Sequence, residues 1–561
     1  DEIYNEFSSG KPDLTAIRDF ARFLWLKNPQ KFKYLLLFGD ATFDYKNIIQ
    51  YSSINTNLMI PTYESRESLD PVRSYASDDY FGFFEENEGE WAETFEGNHT
   101  LEIGIGRLPV KTEDEAKNVV DKLIFYANNP KTVGNWREKI SFVADDGDGN
   151  IHQKDADDIS KLTAETNKDL IINKIYVDAF PQIATANGAI APQANQSLNK
   201  AVNEGSLIIN YSGHGGTDGW TEEKILTREQ IQTWRNLNNM PLFLTATCSF
   251  GRFDDPGNVS GAEMAMLSPR GAAIGLLTTT RPVYSNTNYL LNSAFYKALS
   301  SKNNTHSLRL GDILKQTKNN SFSGVINRNF SLLGDPSMKL AYPQDKVILT
   351  KINGQSPEKQ TLKALSKIQL EGEVLSAVDN LRRTDFNGKI LVSVFDKPSE
   401  VSTLNQKNDG KFLYKVFRNQ IFEGKVEVKN GVFKVNFIVP KDINYQLGQG
   451  KVNFYAVSTD STTDAIGSYN ELMVGGSETN IETDTQAPKI SLSVDENNVL
   501  LANISDENGI NISQAGIGHE MILTLNDTLQ ILANQYFTSE EDYTKGVLKY
   551  AFGKLPSGEY T

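Results

Sequence analysis

From residue 1 to about 345 the chain sets short, continuously apolar runs between helical patterns. The runs are "YLLLFGD" (34–40), "ISFVADD" (140–146), "SLIINYSG" (206–213), "PLFLTATC" (241–248) and "AAIGLLTTT" (272–280). Runs that are apolar at successive rather than alternate positions fit strands buried on both faces of a mostly parallel sheet. Between them, Thr112 with Glu115 ahead of "AKNVVDKLIFYA", and Thr227 with Gln230 ahead of "IQTW", have the spacing of capping boxes at helix starts. This half predicts an α/β architecture.

After about residue 345 the pattern switches to period two, as in "KILVSVFD", "GVFKVNFIVP" and "KVNFYAVSTD". These segments are separated by Gly, Asn, Asp and Pro, which predicts an antiparallel β-sandwich of immunoglobulin-like size. "GGSETNIETDTQAP" (475–488) is polar and reads as a linker. The expected regions are two α/β subdomains at 1–136 and 137–345, an immunoglobulin-like sandwich at 346–475, a linker at 476–488, and a second, truncated β-module at 489–561.

Composition narrows the function classes. With 561 residues, 39% hydrophobic and 23% charged, the chain can form several globular domains. A formal net charge of -15 argues against a nucleic-acid partner, which needs clustered Lys and Arg against phosphate. No run approaches the roughly 20 apolar residues that span a bilayer. The chain opens on Asp1 and reads as a processed product or a fragment. A single cysteine, Cys248, excludes an internal disulfide framework and multi-cysteine zinc sites.

"LIINYSGHGGTDGW" (207–220) places one of only five histidines, His214, between glycines just past an apolar run, and Cys248 closes the next run. In an open α/β sheet, ligands bind beyond the carboxyl ends of strands. If those two strands are neighbours, thiol and imidazole emerge at one edge. An imidazole stabilises a thiolate and can later protonate a leaving amine. Gly215 would let its backbone N–H approach a substrate carbonyl and form an oxyanion hole with that of Cys248, worth about 3 kcal/mol per donor. "VADDGDG" supplies Asp145 and Asp146 at the same edge. The residues alone leave two readings of Cys248 open, core filler and nucleophile. The acidic runs "DDGDGN" (145–150) and "SDDY" (77–80) could hold Ca²⁺, although neither has EF-hand spacing; otherwise no cofactor is expected. His99, His306 and His519 lie in polar stretches and read as surface residues.

"INYSGHGGTDGW" followed by "PLFLTATCSFGRFDDP" resembles the signature of gingipain-type cysteine peptidases of the caspase-like clan. "LLLFGDATFDY", "SDDYFG", "IGIGRLPVKTEDEA" and "FSLLGDPSM" extend that resemblance across the α/β half. It implies a gingipain-like amino-terminal subdomain, a caspase-like catalytic subdomain, His214 as general base and acid, and Cys248 as nucleophile. Aligning the family's "ASAEGG" with "VADDGDG" puts Asp146 at the orienting acid. Continuing that register ungapped to "DISKL" puts His152 where arginine-specific members carry an Asp. Near the implied pocket Tyr284 falls where gingipains carry a Trp, with Arg281 just before it, and Trp220 is assigned with these three to substrate binding. An uncharged or anionic P1 residue is then expected.

"TATCSFGRFDDPGNVSGAEMAML", "TTTRPVYS" and "ISDENGINISQAGIGHEMILTLND" are similar to the sortase members of the family that serve type IX secretion. That likeness implies a cell-surface, outer-membrane-associated enzyme that removes a C-terminal sorting domain from secreted cargo and passes the new carboxyl end to an amine of an anionic lipopolysaccharide. A PorV-type outer-membrane barrel protein and a surface attachment complex are the implied partners. The alternatives are a purely hydrolytic gingipain-like protease and a non-catalytic caspase-fold docking scaffold.

Overall fold

The five apolar runs become β1 (Tyr34–Phe38), β3 (Lys139–Ala144), β5 (Ile208–Ser212), β6 (Leu242–Ala246) and β7 (Gly275–Thr279) of one sheet, which β2 (Gly104–Leu108), β4 (Ile171–Tyr176) and β8 (Phe330–Leu333) complete. This is a computed structural model describing residues 2–49, 59–89, 98–300, 308–358, 360–479, 486–495, 498–513, 520–552, 558 and 560–561. The spatial order is β1-β2-β8-β7-β6-β5-β3-β4. The pairs β1–β2, β3–β5, β5–β6 and β6–β7 are parallel, and β8 runs antiparallel to β7. Every residue of β5, β6 and β7 is buried, as their uninterrupted apolar character requires.

The expected division at residue 136 is not a break in the sheet. Strand β2, from the first expected subdomain, pairs with β8 of the second through Arg107 and Leu333. Helices Ile151–Thr166 and Ser285–Leu299 pack on each other and on β5 and β6. Thr112 and Glu115 form the predicted capping box of helix Glu113–Asn128. Thr227 accepts the Gln230 N–H of helix Arg228–Thr233, but the Gln230 side chain donates to Asn199 instead of turning back. Lys122 is buried where helix Gly261–Leu267 ends, and its Nζ donates to the carbonyls of Met266, Ser268 and Gly271 at 2.5, 3.3 and 3.3 Å.

The chain divides into two compact units. The first comprises Asp1–Asn167, Ile172–Tyr342 and Ser402–Tyr414, and the second Lys168–Ile171, Pro343–Val401 and Lys415–Thr561. In the second unit, strands Asp345–Ile352, Lys367–Leu375, Val432–Ile438, Gln420–Lys429, Gly388–Phe395, Gly448–Ser458 and Asp464–Ser477 pair in that order, and the last pairs back to the first. Where an immunoglobulin-like sandwich is expected, the strands form this closed ring. Its core includes Leu370, Val392, Phe433, Phe437 and Phe454. Of the carboxy-terminal strands, Phe537–Glu540, Asp542–Ala551, Val499–Ser505 and Lys489–Val494 continue this sheet through Gly424 and Ser539, while Ile522–Leu525 and Leu529–Leu532 pair only with each other. Among the described residues no helix is long and apolar enough to cross a membrane.

Candidate active site

The carboxyl edge of the sheet brings together residues far apart in the chain. Ser212 of β5 is in register with Ala144 of β3 on one side and with Ala246 of β6 on the other. Asp146, His214 and Cys248 therefore each lie two residues beyond one row across three adjacent strands. The glycines around His214 answer to close packing. Gly213 has φ +155°, and a Cβ there would overlap that of Asp145 and lie 2.6 Å from the Tyr211 hydroxyl. A Cβ on Gly215 would lie 2.5 Å from Thr247 Oγ1, so the residue after the histidine is pressed against the residue before the cysteine. Ser249, just past the cysteine, has φ +54° and turns the chain sharply away from the sheet. Cys248 is half-buried, with Sγ 3.8 Å from the Val283 carbonyl oxygen.

The histidine is held from three sides. Its backbone N–H donates to Asp145 Oδ2 at 2.9 Å. Its carbonyl accepts from the Tyr211 hydroxyl. Its ring Nε2 lies 2.7 Å from Asp148 Oδ2. Asp148 reaches this position through four consecutive left-handed residues, Gly147, Asp148, Gly149 and Asn150, with φ of 77°, 48°, 65° and 65°. Gly, Asp and Asn are the residue types that tolerate this conformation. The hydrogen bond to His214 holds the Asp148 carboxyl below its usual range.

Asp146, expected to orient the imidazole, faces other partners. Its carboxylate accepts from Gln182 Nε2, lies 4.0 Å from Lys407 Nζ, and makes no hydrogen bond to the imidazole. The strand continues past Asp146 into the left-handed turn, which brings the acid two residues later back over the ring. Burial, reinforced by Glu223, pushes Asp146 up to about 6. Burial likewise raises Asp145 to about 7, with Asp146 and Glu223 adding to it.

Of the four residues assigned to substrate binding, two are committed elsewhere. Trp220 is 1% exposed and stacks on Tyr211 at 4.3 Å, so it supports the hydroxyl that holds His214 and offers no surface to a substrate. Arg281 is paired with Asp254 through both terminal nitrogens and lies 3.6 Å from Glu64. Its charge is neutralised, which removes the basis for an anionic P1 preference. His152 is 6% exposed and meets His214 edge to face at 5.2 Å. Tyr284, 55% exposed at the start of helix Ser285–Leu299, is open to solvent.

The segment Ser402–Tyr414 carries residues that local pattern could not flag. Lys407 Nζ lies 2.7 Å from Glu223 Oε1 and is the cation facing the buried carboxylates Asp146 and Glu223. Asp178 accepts the backbone N–H groups of Asn405 and Gln406 at 2.8 and 2.9 Å. Asn150 Nδ2 donates to the Asp409 and Gly410 carbonyls, which pins the turn carrying Asp148. Some 260 residues separate those partners, and no sequence spacing announces such a contact.

The acids of "SDDY" already face protein cations, Asp78 pairing with Arg107 at 2.7 Å and Asp79 with Lys318 and Arg328. His99 is half-buried against Phe83 at 5.3 Å rather than on the surface. His306 and His519 lie outside the described residues.

Gingipain R2 of Porphyromonas gingivalis is 23% identical over 157 residues, covering 28% of this chain and 20% of that protein. The match thus spans about a fifth of the relative's length. The crystal structure of the Arg-specific cysteine proteinase gingipain R aligns over 84% of this chain and 89% of its own, with 17% identity and a TM-score of 0.46. Dimeric latent PorU from Porphyromonas gingivalis aligns over 100% of this chain and 49% of its own, with 25% identity and a TM-score of 0.35. Residues 1–341 match the description of peptidase family C25, and the chain belongs to that family, the gingipain family of cysteine peptidases.

Proposed function

We propose that the chain is a cysteine endopeptidase with Cys248 as nucleophile, His214 as general base and acid, and Asp148 as the acid that orients the imidazole. The observation that carries this reading is the register of Ser212 with Ala246, which sends His214 and Cys248 out of adjacent strands at the same edge. With Nε2 engaged by Asp148, Nδ1 is the ring nitrogen left to exchange a proton with the thiol. The thiolate attacks the scissile carbonyl carbon, and the new C–S bond pushes the carbonyl electron pair onto oxygen, where the N–H groups of Gly215 and Cys248 stabilise it. Collapse breaks the C–N bond, the imidazolium proton passes to the leaving amine, and a thioester remains.

Water resolves the thioester to an acid, and an amine resolves it to a new amide. The sortase reading is the second outcome: excision of a C-terminal sorting domain at the cell surface and transfer to an amine of anionic lipopolysaccharide, with a PorV-type barrel protein and a surface attachment complex as partners. Its support is the wording of "TATCSFGRFDDPGNVSGAEMAML" and "TTTRPVYS" around the nucleophile. The test is mass spectrometry of a cargo protein incubated with the enzyme, with and without an amine acceptor. An amide adduct at the new carboxyl end supports transfer, and a free acid in both arms limits the enzyme to hydrolysis. Cys248→Ala is expected to abolish both products with the fold intact; cleavage near the wild-type rate would overturn the peptidase reading. Cys248→Ser should be almost as inactive, because a hydroxyl has too high a pKa to ionise beside His214.

A further inference from the structure

We propose that Asp148, His152 and His214 form a binding site for a divalent transition metal, zinc above all, and that occupancy switches the active site off. The three ligand atoms lie within 4.8 Å of one another. His214 Nε2 is 2.7 Å and His152 Nε2 is 3.4 Å from Asp148 Oδ2. A tetrahedral shell with bonds of about 2.0–2.1 Å sets its ligand atoms about 3.3 Å apart, close to the second of these distances.

A separate observation points the same way. His152 is buried, yet its Nε2 has no hydrogen-bond partner and is aimed at the Asp148 carboxylate. A buried imidazole nitrogen without a partner is costly, and a metal ion would satisfy it. Two imidazoles and one carboxylate select zinc and its neighbours over calcium or magnesium, which prefer all-oxygen shells. Asp148 and His214 are both more than half exposed, so the ion has a path in. The neighbouring acids Asp145, Asp146 and Glu223 are a distinct group, faced by Lys407.

The effect on activity follows from tautomer chemistry and rests on the peptidase reading above. A metal on His214 Nε2 displaces its hydrogen bond to Asp148 and leaves the ring proton on Nδ1. The nitrogen that should accept the thiol proton is then already protonated, and the thiolate cannot form.

The experiment is calorimetric titration of zinc chloride into the Cys248→Ala protein, which removes the thiol as a competing ligand. One zinc per chain is expected, with affinity reduced on the order of a hundredfold by Asp148→Ala or His152→Gln. Asp148 is exposed, so its replacement tests the site even if His152→Gln fails to fold. Cobalt chloride should give tetrahedral d–d absorption with no thiolate charge-transfer band in wild type. Excess calcium chloride should not displace zinc. Absence of binding in Cys248→Ala, equal affinity in both ligand variants, or displacement by calcium would overturn the site. In wild type, micromolar zinc should suppress peptide cleavage and a chelator should restore it; zinc bound at this site with unchanged cleavage would overturn the switch. The peptidase reading fails by a different result, cleavage by Cys248→Ala without added metal.

Discussion

At the scale of single residues, the decisive distinction is between two aspartates two positions apart. Asp148, not Asp146, touches the imidazole, and the difference is made by the left-handed turn at 147–150. Asp148→Asn keeps the size of the side chain but removes the charge that favours imidazolium. It should lower kcat by between about 10- and 100-fold with little change in KM, because substrate contacts are untouched. Asp146→Asn should leave kcat within about twofold, since its partners are Gln182 and Lys407. Steady-state kinetics on one peptide with both variants decides the matter; a larger kcat loss in Asp146→Asn would return the orienting role to it. The positions of His214 and Cys248 were legible in the sequence because uninterrupted apolar runs mark buried strands, and chemistry gathers at the carboxyl ends of such strands. The contact of Asp148 with the imidazole was not legible, because family spacing fixes a position in the chain and not the direction in which a glycine-rich turn points the next carboxylate.

At the scale of elements, the same division holds. Five of the eight strands of the first sheet, β1, β3, β5, β6 and β7, and the capping box at Thr112 follow from local pattern, whereas β2, β4 and β8 have no such run. The closed ring of the second unit does not, since period-two alternation fixes which face of a strand is buried but not which strand it pairs with. The segment Ser402–Tyr414, which joins the first unit, lies inside the expected sandwich and carries no local sign of its destination. Two substitutions test elements rather than chemistry. Trp220→Ala removes a fully buried ring stacked on Tyr211 and should cost about 3–5 kcal/mol in denaturant unfolding. A cost below about 1 kcal/mol would mean that the indole is not the support of the His214 loop. Lys122→Met leaves three carbonyls at the end of helix Gly261–Leu267 without their donor and should cost about 1–3 kcal/mol, although a methionine fills the space. No measurable loss would show that the charge buried there was as unfavourable as its hydrogen bonds were favourable.

At the scale of the whole molecule, the buried acids of the first unit set how stability depends on pH. Burial raises Asp145 to about 7, Asp146 to about 6 and Glu102 to about 7. Asp40 and Glu263, which share Lys111 at 3.1 and 3.4 Å, are raised as well. A carboxyl with a raised native pKa still holds its proton where the unfolded chain has released it, so the native state loses stability as pH rises through that window. The window runs from about 4, where unfolded carboxylates ionise, to about 7. For Asp145 alone the full effect is roughly 4 kcal/mol at its upper limit. His152 acts the other way, because its lowered pKa removes stability as pH falls below the unfolded histidine range. Asp148, held low by His214, loses its contribution only at more acid pH. Several carboxyls outweigh one imidazole, so calorimetry should give a higher melting temperature for the first unit near pH 5 than near pH 8. Asp145→Asn can still accept the His214 N–H through its amide oxygen, and it should flatten the slope between pH 5 and 7. If wild type instead gained stability steadily from pH 5 to 8, Asp145 would be ionised throughout, and Lys407 would be neutralising all three acids of the cluster.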